Sequence, residues 1–194
     1  MADFSDTVAA ARMKKCAVHL VAAVVFRESS RVASMEAGAH TLACIGSYYA
    51  GFHSAVAALW ITESVHPNSL QRVGHKNLRK LIEENLKQTR RIKASFMNDF
   101  LKLLEYREES NYHFFFSSHD FDYSEIAPGL DGRLEAMFQC VFPYVRNRLV
   151  KLNLLASFQT YVGDGIGEDL IGIHVSSQVR HRVFRWLADN QFST

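Results

Sequence analysis

The stretch EYREESNYHFFF, residues 105–116, sets Arg107 and His113 six positions apart, with Asn111 and Tyr112 between them. These residue types suit metal-independent RNA cleavage. An imidazole that titrates near neutrality can take a proton from a ribose 2′-OH or return one to the leaving oxygen. A guanidinium can hold the scissile phosphate and the charge that develops on it. Their spacing sets a condition, however. On a straight helix, six residues turn a side chain about 240° past a full revolution and raise it about 9 Å. Arg107 and His113 then share no face. They meet only if the helix ends or bends between them, or if a second copy of the chain brings its own pair across an interface. The plainer alternative pairs Arg107 with Glu108, Glu109 or an acid elsewhere in the bundle. It leaves His113 as a helix C-terminal residue favoured by the dipole.

Other chemistry-bearing residues give weaker patterns. Nine histidines raise the question of a metal, yet no pair has H-E-x-x-H spacing and no carboxylate cluster joins them on one helical face. His113, His119, Asp120 and Asp122 converge only if a loop folds them together. The expectation is therefore no metal and no cofactor. Tyr49 and His53 form an i, i+4 pair that reads either as a core contact or as the wall of a site. GDGIGEDLIG lacks the G-x-G-x-x-G spacing of a phosphate loop and reads as a turn. No G-x-S-x-G elbow marks a serine nucleophile. Cys16, Cys44 and Cys140 are odd in number and far apart, with neither metal nor disulfide spacing.

The elements that must position these residues read as helices throughout. The chain has 194 residues, of which 48% are hydrophobic and 22% charged, with three prolines. That composition fits a globular core, and the scarcity of breakers favours an all-α fold. Helices are expected over about 6–26, 30–62, 76–93 and 95–112. An irregular aromatic-rich connection over 113–132 is expected to hold Pro128, Gly129 and Gly132. A helix over about 134–161, kinked at Pro143, should follow, then a glycine-rich turn and a last amphipathic helix with Val175, Val179, Val183 and Trp186 inward. On the second helix, Leu42, Ile45, Tyr49, Phe52, Val56 and Leu59 form the expected buried stripe. Gly46, Ala50 and Ser54 offer a second face for close helix approach, making this the central helix. Leu78, Ile82, Leu86 and Thr89 should face the core from the third. Ser95 is the expected N-cap of the fourth, with Phe96, Phe100, Leu103 and Leu104 inward.

The formal net charge of +2 is too small to imply nucleic-acid binding, but its distribution is uneven. From Arg72 to Lys93 eight basic residues oppose two acids, whereas from Glu105 to Glu135 eight acids oppose two arginines. Lys76, Arg79, Lys80, Lys87, Arg90 and Arg91 are the candidate RNA-binding residues, tracking a phosphate backbone. The bland reading is a solvated helix face. The only long apolar run noted, CAVHLVAAVVF at 16–26, is too short to span a bilayer. Lys14 and Lys15 before it weakly mimic a signal peptide, but Asp3 and Asp6 lie upstream and no cleavage site follows. The expected setting is cytoplasmic, without a membrane.

Three segments taken in order, SYYAGFHSAVAALW, HKNLRKLIEENL and LLEYREESNYHF, resemble the HEPN superfamily of small helical bundles. The resemblance covers about residues 30–116. It implies an up-and-down bundle over 1–116, with 117–194 a helical extension packed on the same core. It implies a metal-independent endoribonuclease of toxin or defence type, with Arg107 and His113 as the catalytic pair meeting across a homodimer and Asn111 and Tyr112 positioning substrate. Glu108 departs from the polar residue that commonly follows the family's arginine. The SNYH register resembles a subgroup that accompanies a small nucleotidyltransferase. The alternative implied is a non-catalytic HEPN-like module that binds such a partner or a nucleotide.

Overall fold

A computed structural model describes residues 6–36, 39–116, 123–166 and 175–193, without the side chains of residues 6, 36, 112–116, 123–125, 127, 128, 165 and 166. The fold is all-α. The helices are α1 (Asp6–Glu36), α2 (His40–Trp60), α3 (His75–Ile82), α4 (Ser95–Phe116), α5 (Tyr123–Lys151), α6 (Leu155–Tyr161) and α7 (Ser177–Asp189). π-helical turns extend α3 over Glu83–Lys87 and α6 over Val162–Ile166.

The first two helices form an antiparallel hairpin. Arg12 meets Trp60, His19 meets His53, Phe26 meets Tyr49, and Ser30 lies against Gly46, so one index rises as the other falls. A Cβ on Gly46 would sit 2.2 Å from the Ser30 hydroxyl oxygen, so a bare backbone is what lets α1 approach here. Ala50 and Ser54, on the same face, are fully buried. α2 packs against α1, α3, α4 and α5 and is the central helix of the bundle.

At its far end α2 is closed by a buried side chain. The Arg12 guanidinium, in a residue only 3% exposed, donates to the carbonyls of Trp60 (2.8 Å), Val65 (2.9 Å) and Thr62. Helix C-terminal carbonyls lack intrahelical donors, and a cation there also meets the negative end of the dipole.

α5 joins the two parts of the chain. Leu130, Leu134, Met137, Phe138, Val141, Phe142, Val145 and Leu149 are buried along one stripe at helical spacing. Phe142 and Trp186 stack edge-on at 4.8 Å between centroids, and Phe192 packs on Phe142 and Phe158. One continuous core therefore runs from Met13 to Phe192.

Several expectations change. α1 does not stop near residue 26. It continues through Ser29 and Ser30 to Glu36, with the Ser30 hydroxyl donating back to the Phe26 carbonyl (2.7 Å), and α2 begins only at His40. The buried face of α2's first half is Ala43, Cys44, Ser47 and Tyr48. Leu42 is 60% exposed, and Ile45, Tyr49 and Phe52 are half-buried. Leu78, Ile82 and Leu86 are buried as expected, but Thr89 is exposed and its hydroxyl donates to the Asn85 carbonyl. Ser95 opens α4, whose Phe96, Phe100 and Leu103 are buried and Leu104 half-buried.

Residues 123–132 belong to α5, which stays helical through Pro128, Gly129, Gly132 and Pro143. The single helix expected over 134–161 is instead broken at residues 152–154. Asn153 adopts a left-handed conformation (φ 54°), and the Leu154 amide donates to the Leu149 carbonyl at 2.8 Å, a Schellman-type cap. Val162–Ile166 continues α6 instead of opening a turn, and the rest of the glycine-rich segment falls outside the described residues. In α7, Val179 and Val183 are buried and Trp186 is half-buried, while Val175 lies before the helix and is half-buried.

α2 is also long and apolar enough to cross a membrane by length and composition, which the run at 16–26 was not; two-thirds of that stretch is buried inside the fold.

Candidate functional site

Arg107 enters one corner of the bundle from α4, Tyr48 comes from α2, and His75 is the first residue of α3. Gly74 precedes His75 in an extended conformation (φ −88°, ψ 167°) and caps the helix, so the imidazole stands where the chain turns in from the connection. The Tyr48 hydroxyl and His75 Nδ1 are 2.5 Å apart. Burial pushes the phenol's pKa up, so it stays protonated and donates to Nδ1, which leaves the ring hydrogen on Nε2. Burial and then the Arg107 charge lower the pKa of His75, with Glu108 pulling the other way. The imidazole is therefore neutral near pH 7. Rings of Tyr48, Tyr49 and Phe52 surround it at 5.4, 6.4 and 5.4 Å between centroids.

The Arg107 guanidinium carbon lies over the Tyr48 ring, 5.8 Å from its centroid, a cation–π placement. Its Nε is buried and has no hydrogen-bond partner. Among the described residues no carboxylate pairs with it. Glu105 is taken by Lys102 (2.7 Å), and neither Glu108 nor Glu109 forms an ion pair with the arginine beside it. The plainer expectation, a structural salt bridge at Arg107, is not what the described residues show. A buried donor left unmade costs free energy, and such groups collect where a ligand completes them.

α4 is continuous from Ser95 to Phe116, so the helix does not end between positions 107 and 113. Asn111 is half-buried on α4, while the side chains of Tyr112 and His113 lie outside the described residues, as do His119, Asp120 and Asp122 altogether. Among the described residues no group of three metal-ligating side chains lies together.

The basic residues divide by setting. Lys76, Arg79 and Lys80 are exposed on α3 and Lys87 is half-buried on its π turn. Lys80 pairs with Glu84 (3.8 Å) and Lys87 with Glu83 (3.0 Å). Arg90 and Arg91 sit beyond the helix, on the connection to α4.

Sequence reading missed His75 as a site residue. The available signal was the HK dipeptide that opens HKNLRKLIEENL after Gly74. It also left the Tyr49–His53 pair open between core and site. His53 turns to α1 instead, with its Nδ1 2.9 Å from His19 Nδ1, and Phe26 stacks on both His53 (5.4 Å) and Tyr49 (5.5 Å).

A concave region lies elsewhere, between α1, α2 and α5, a cavity of about 570 Å³ lined by Arg27, Arg31, Ser34, His40, Ser47 and Leu130 among others. Arg31 grips Asp131 through two bonds (2.9 and 2.7 Å), and Arg27 pairs with Glu28 and Glu135. Arg27 Nε and His40 Nδ1 are buried there without hydrogen-bond partners.

No family model matches the chain, and comparison with curated proteins and with solved structures finds no significant match.

Proposed function

We propose that this chain is a HEPN-like, metal-independent endoribonuclease of toxin or defence type that works in the cytoplasm as a homodimer. Arg107 binds the scissile phosphate, and His113 of the paired copy serves as general acid and base. Asn111 and Tyr112 position the strand. The observation that carries this reading is the Arg107 guanidinium: held over Tyr48, flanked by acids, and paired with none of those described. Its fixed charge would stabilise the pentacoordinate phosphorane as the ribose 2′-oxygen attacks phosphorus and the 5′-oxygen leaves. The proton lost by the 2′-OH passes to one imidazole and a proton returns to the leaving oxygen, giving a cyclic phosphate and a free 5′-OH.

The test is to incubate purified protein with RNA in EDTA. Wild type should cleave, and Arg107→Ala and His113→Ala should each fall to background. Equal background products from all three end the nuclease reading. His75→Ala separates the two histidines, because loss with His75→Ala and retention with His113→Ala would move the acid–base role to His75.

The cavity beside Arg27 favours a second reading, a non-catalytic HEPN-like module that holds a nucleotide, in keeping with a nucleotidyltransferase-type partner. Calorimetric titration with nucleoside triphosphates, against Ser47→Leu to fill the cavity, tests it.

A further inference from the structure

The cations that matter for polyanion binding do not form one stripe along α3. Arg90, Arg91 and Lys93 on the α3–α4 connection face Arg148 and Lys151 in the last turn of α5 across an open cleft of about 660 Å³, and no carboxylate lines it. The geometry is built by the backbone. Arg90 adopts a left-handed conformation (φ 54°), and the Arg91 amide donates to the Leu86 carbonyl at 2.9 Å, which ends the π turn and swings both arginines off the α3 axis. Arg91 is then anchored, its Nη1 donating to Ser64 Oγ (3.0 Å) and the Asn85 carbonyl (3.1 Å). Arg148 pairs with Glu63, but Arg90, Arg91, Lys93 and Lys151 have no carboxylate partner among the described residues. By contrast, the α3 cations Lys80 and Lys87 are each partly neutralised by a nearby glutamate, and the exposed Lys76 and Arg79 do not line the cleft.

From this difference we infer that the cleft between the α3–α4 connection and the end of α5 is the track for a single-stranded RNA backbone. This rests on the nuclease reading for the choice of RNA as the polyanion. Binding to phosphates releases counterions, and unpaired cations contribute most to that release. A cleft of this size matches a ligand site and admits a few nucleotides of one strand, not a duplex. Arg91 is held in place before any strand arrives, which reduces the ordering cost of binding.

The experiment is fluorescence anisotropy with labelled oligouridylate in EDTA, in a His113→Ala background so that the strand stays whole. Lys93→Glu/Lys151→Glu is expected to weaken binding at least about tenfold near physiological salt. It should also flatten the slope of log affinity against log salt by about 1.4, from two contacts at about 0.7 each. Lys80→Gln/Lys87→Gln on α3, whose charges are already paired with Glu84 and Glu83, is expected to stay within about twofold. Arg90→Gln/Lys93→Gln, which removes charge without reversing it, should give a smaller loss of the same kind, and unchanged melting curves show that the variants fold. The inference is overturned if the α3 variant loses as much affinity as the cleft variant, or if the cleft variants bind like the parent. It is also overturned if those variants alter self-association instead of RNA affinity, since the cleft would then receive an acidic surface of a second copy. The two proposals fail separately. Binding through the cleft without cleavage by wild type removes the nuclease and keeps the track. Cleavage with affinity indifferent to the cleft does the reverse.

Discussion

Two arginines contact α2, and they differ in what surrounds them. Arg12 gives its donors to the carbonyls of Trp60, Thr62 and Val65 and is 3% exposed. Arg107 lies over Tyr48 with a buried, unpartnered Nε. The first is a structural closure, since it satisfies groups that the helix end leaves open. The second leaves a donor unmade at some cost, which makes sense if another molecule supplies the acceptor. Arg107 is half-buried where Arg12 is buried, and the sharper difference is whether the buried donors are satisfied.

The sharpest way to break this contrast is to remove each guanidinium in turn. Arg12→Ala should lower the unfolding free energy by about 3 kcal/mol, because it leaves the Trp60 and Val65 carbonyls without a donor, while that of Thr62 keeps the Val65 amide. Urea denaturation measures this, and a loss under about 1 kcal/mol would show that water or the backbone takes over the closure. Arg107→Ala should do the opposite, reducing RNA cleavage at least about a hundredfold while moving stability by less than about 1 kcal/mol. A large stability loss at Arg107 would make it a second structural clamp.

A third polar cluster tests whether mutual satisfaction depends on charge state. His19 and His53 are both held near pKa 4, chiefly by burial, with the His53 and Lys15 charges adding to the effect at His19; the ordinary value is 6.5. Between those values the unfolded chain binds more protons than the folded one. Stability should therefore be full above about pH 6.5, fall as pH drops toward 4, and level off below, by roughly 3 kcal/mol for each histidine. His53→Gln should flatten that profile, as followed by thermal melts across pH. The smallest expected effect is at Gly46. Adding a Cβ collides with Ser30 Oγ, but that hydroxyl can rotate away, so Gly46→Ala should cost about 1 kcal/mol. Ser30→Ala in the same chain should recover most of it, and a double-mutant cycle reads the coupling.

The helical class was legible because the chain gives few breakers, and α3 and α4 were legible because their apolar spacing is regular. Leu78, Ile82, Phe96, Phe100 and Leu103 are all buried as the spacing predicts. The α1–α2 boundary was not. Ser29 and Ser30 look like a break, yet Ser30 turns its hydroxyl onto its own helix and finds room opposite Gly46. Pro128, Gly129 and Gly132 look like an irregular connection, yet α5 runs through them, with a buried stripe long enough for packing to override local preference. Arg107 was singled out from its motif, but its partners Tyr48 and His75 stand 59 and 32 positions away in sequence. Only the packing of α2, α3 and α4 brings them together. The charge surplus at 72–93 was visible, but its division into neutralised and free cations depends on which carboxylates the fold places beside them.

The reach of Arg12 also has a bearing on how the chain is made. Its acceptors are synthesised some fifty residues after it, at Trp60 to Val65. The native acceptors of Arg12 therefore leave the ribosome only after its own helix, and that contact cannot lock until the following helix is complete. Synthesis in order, slow relative to helix formation, leaves the leading segment waiting and docks the hairpin in one late step.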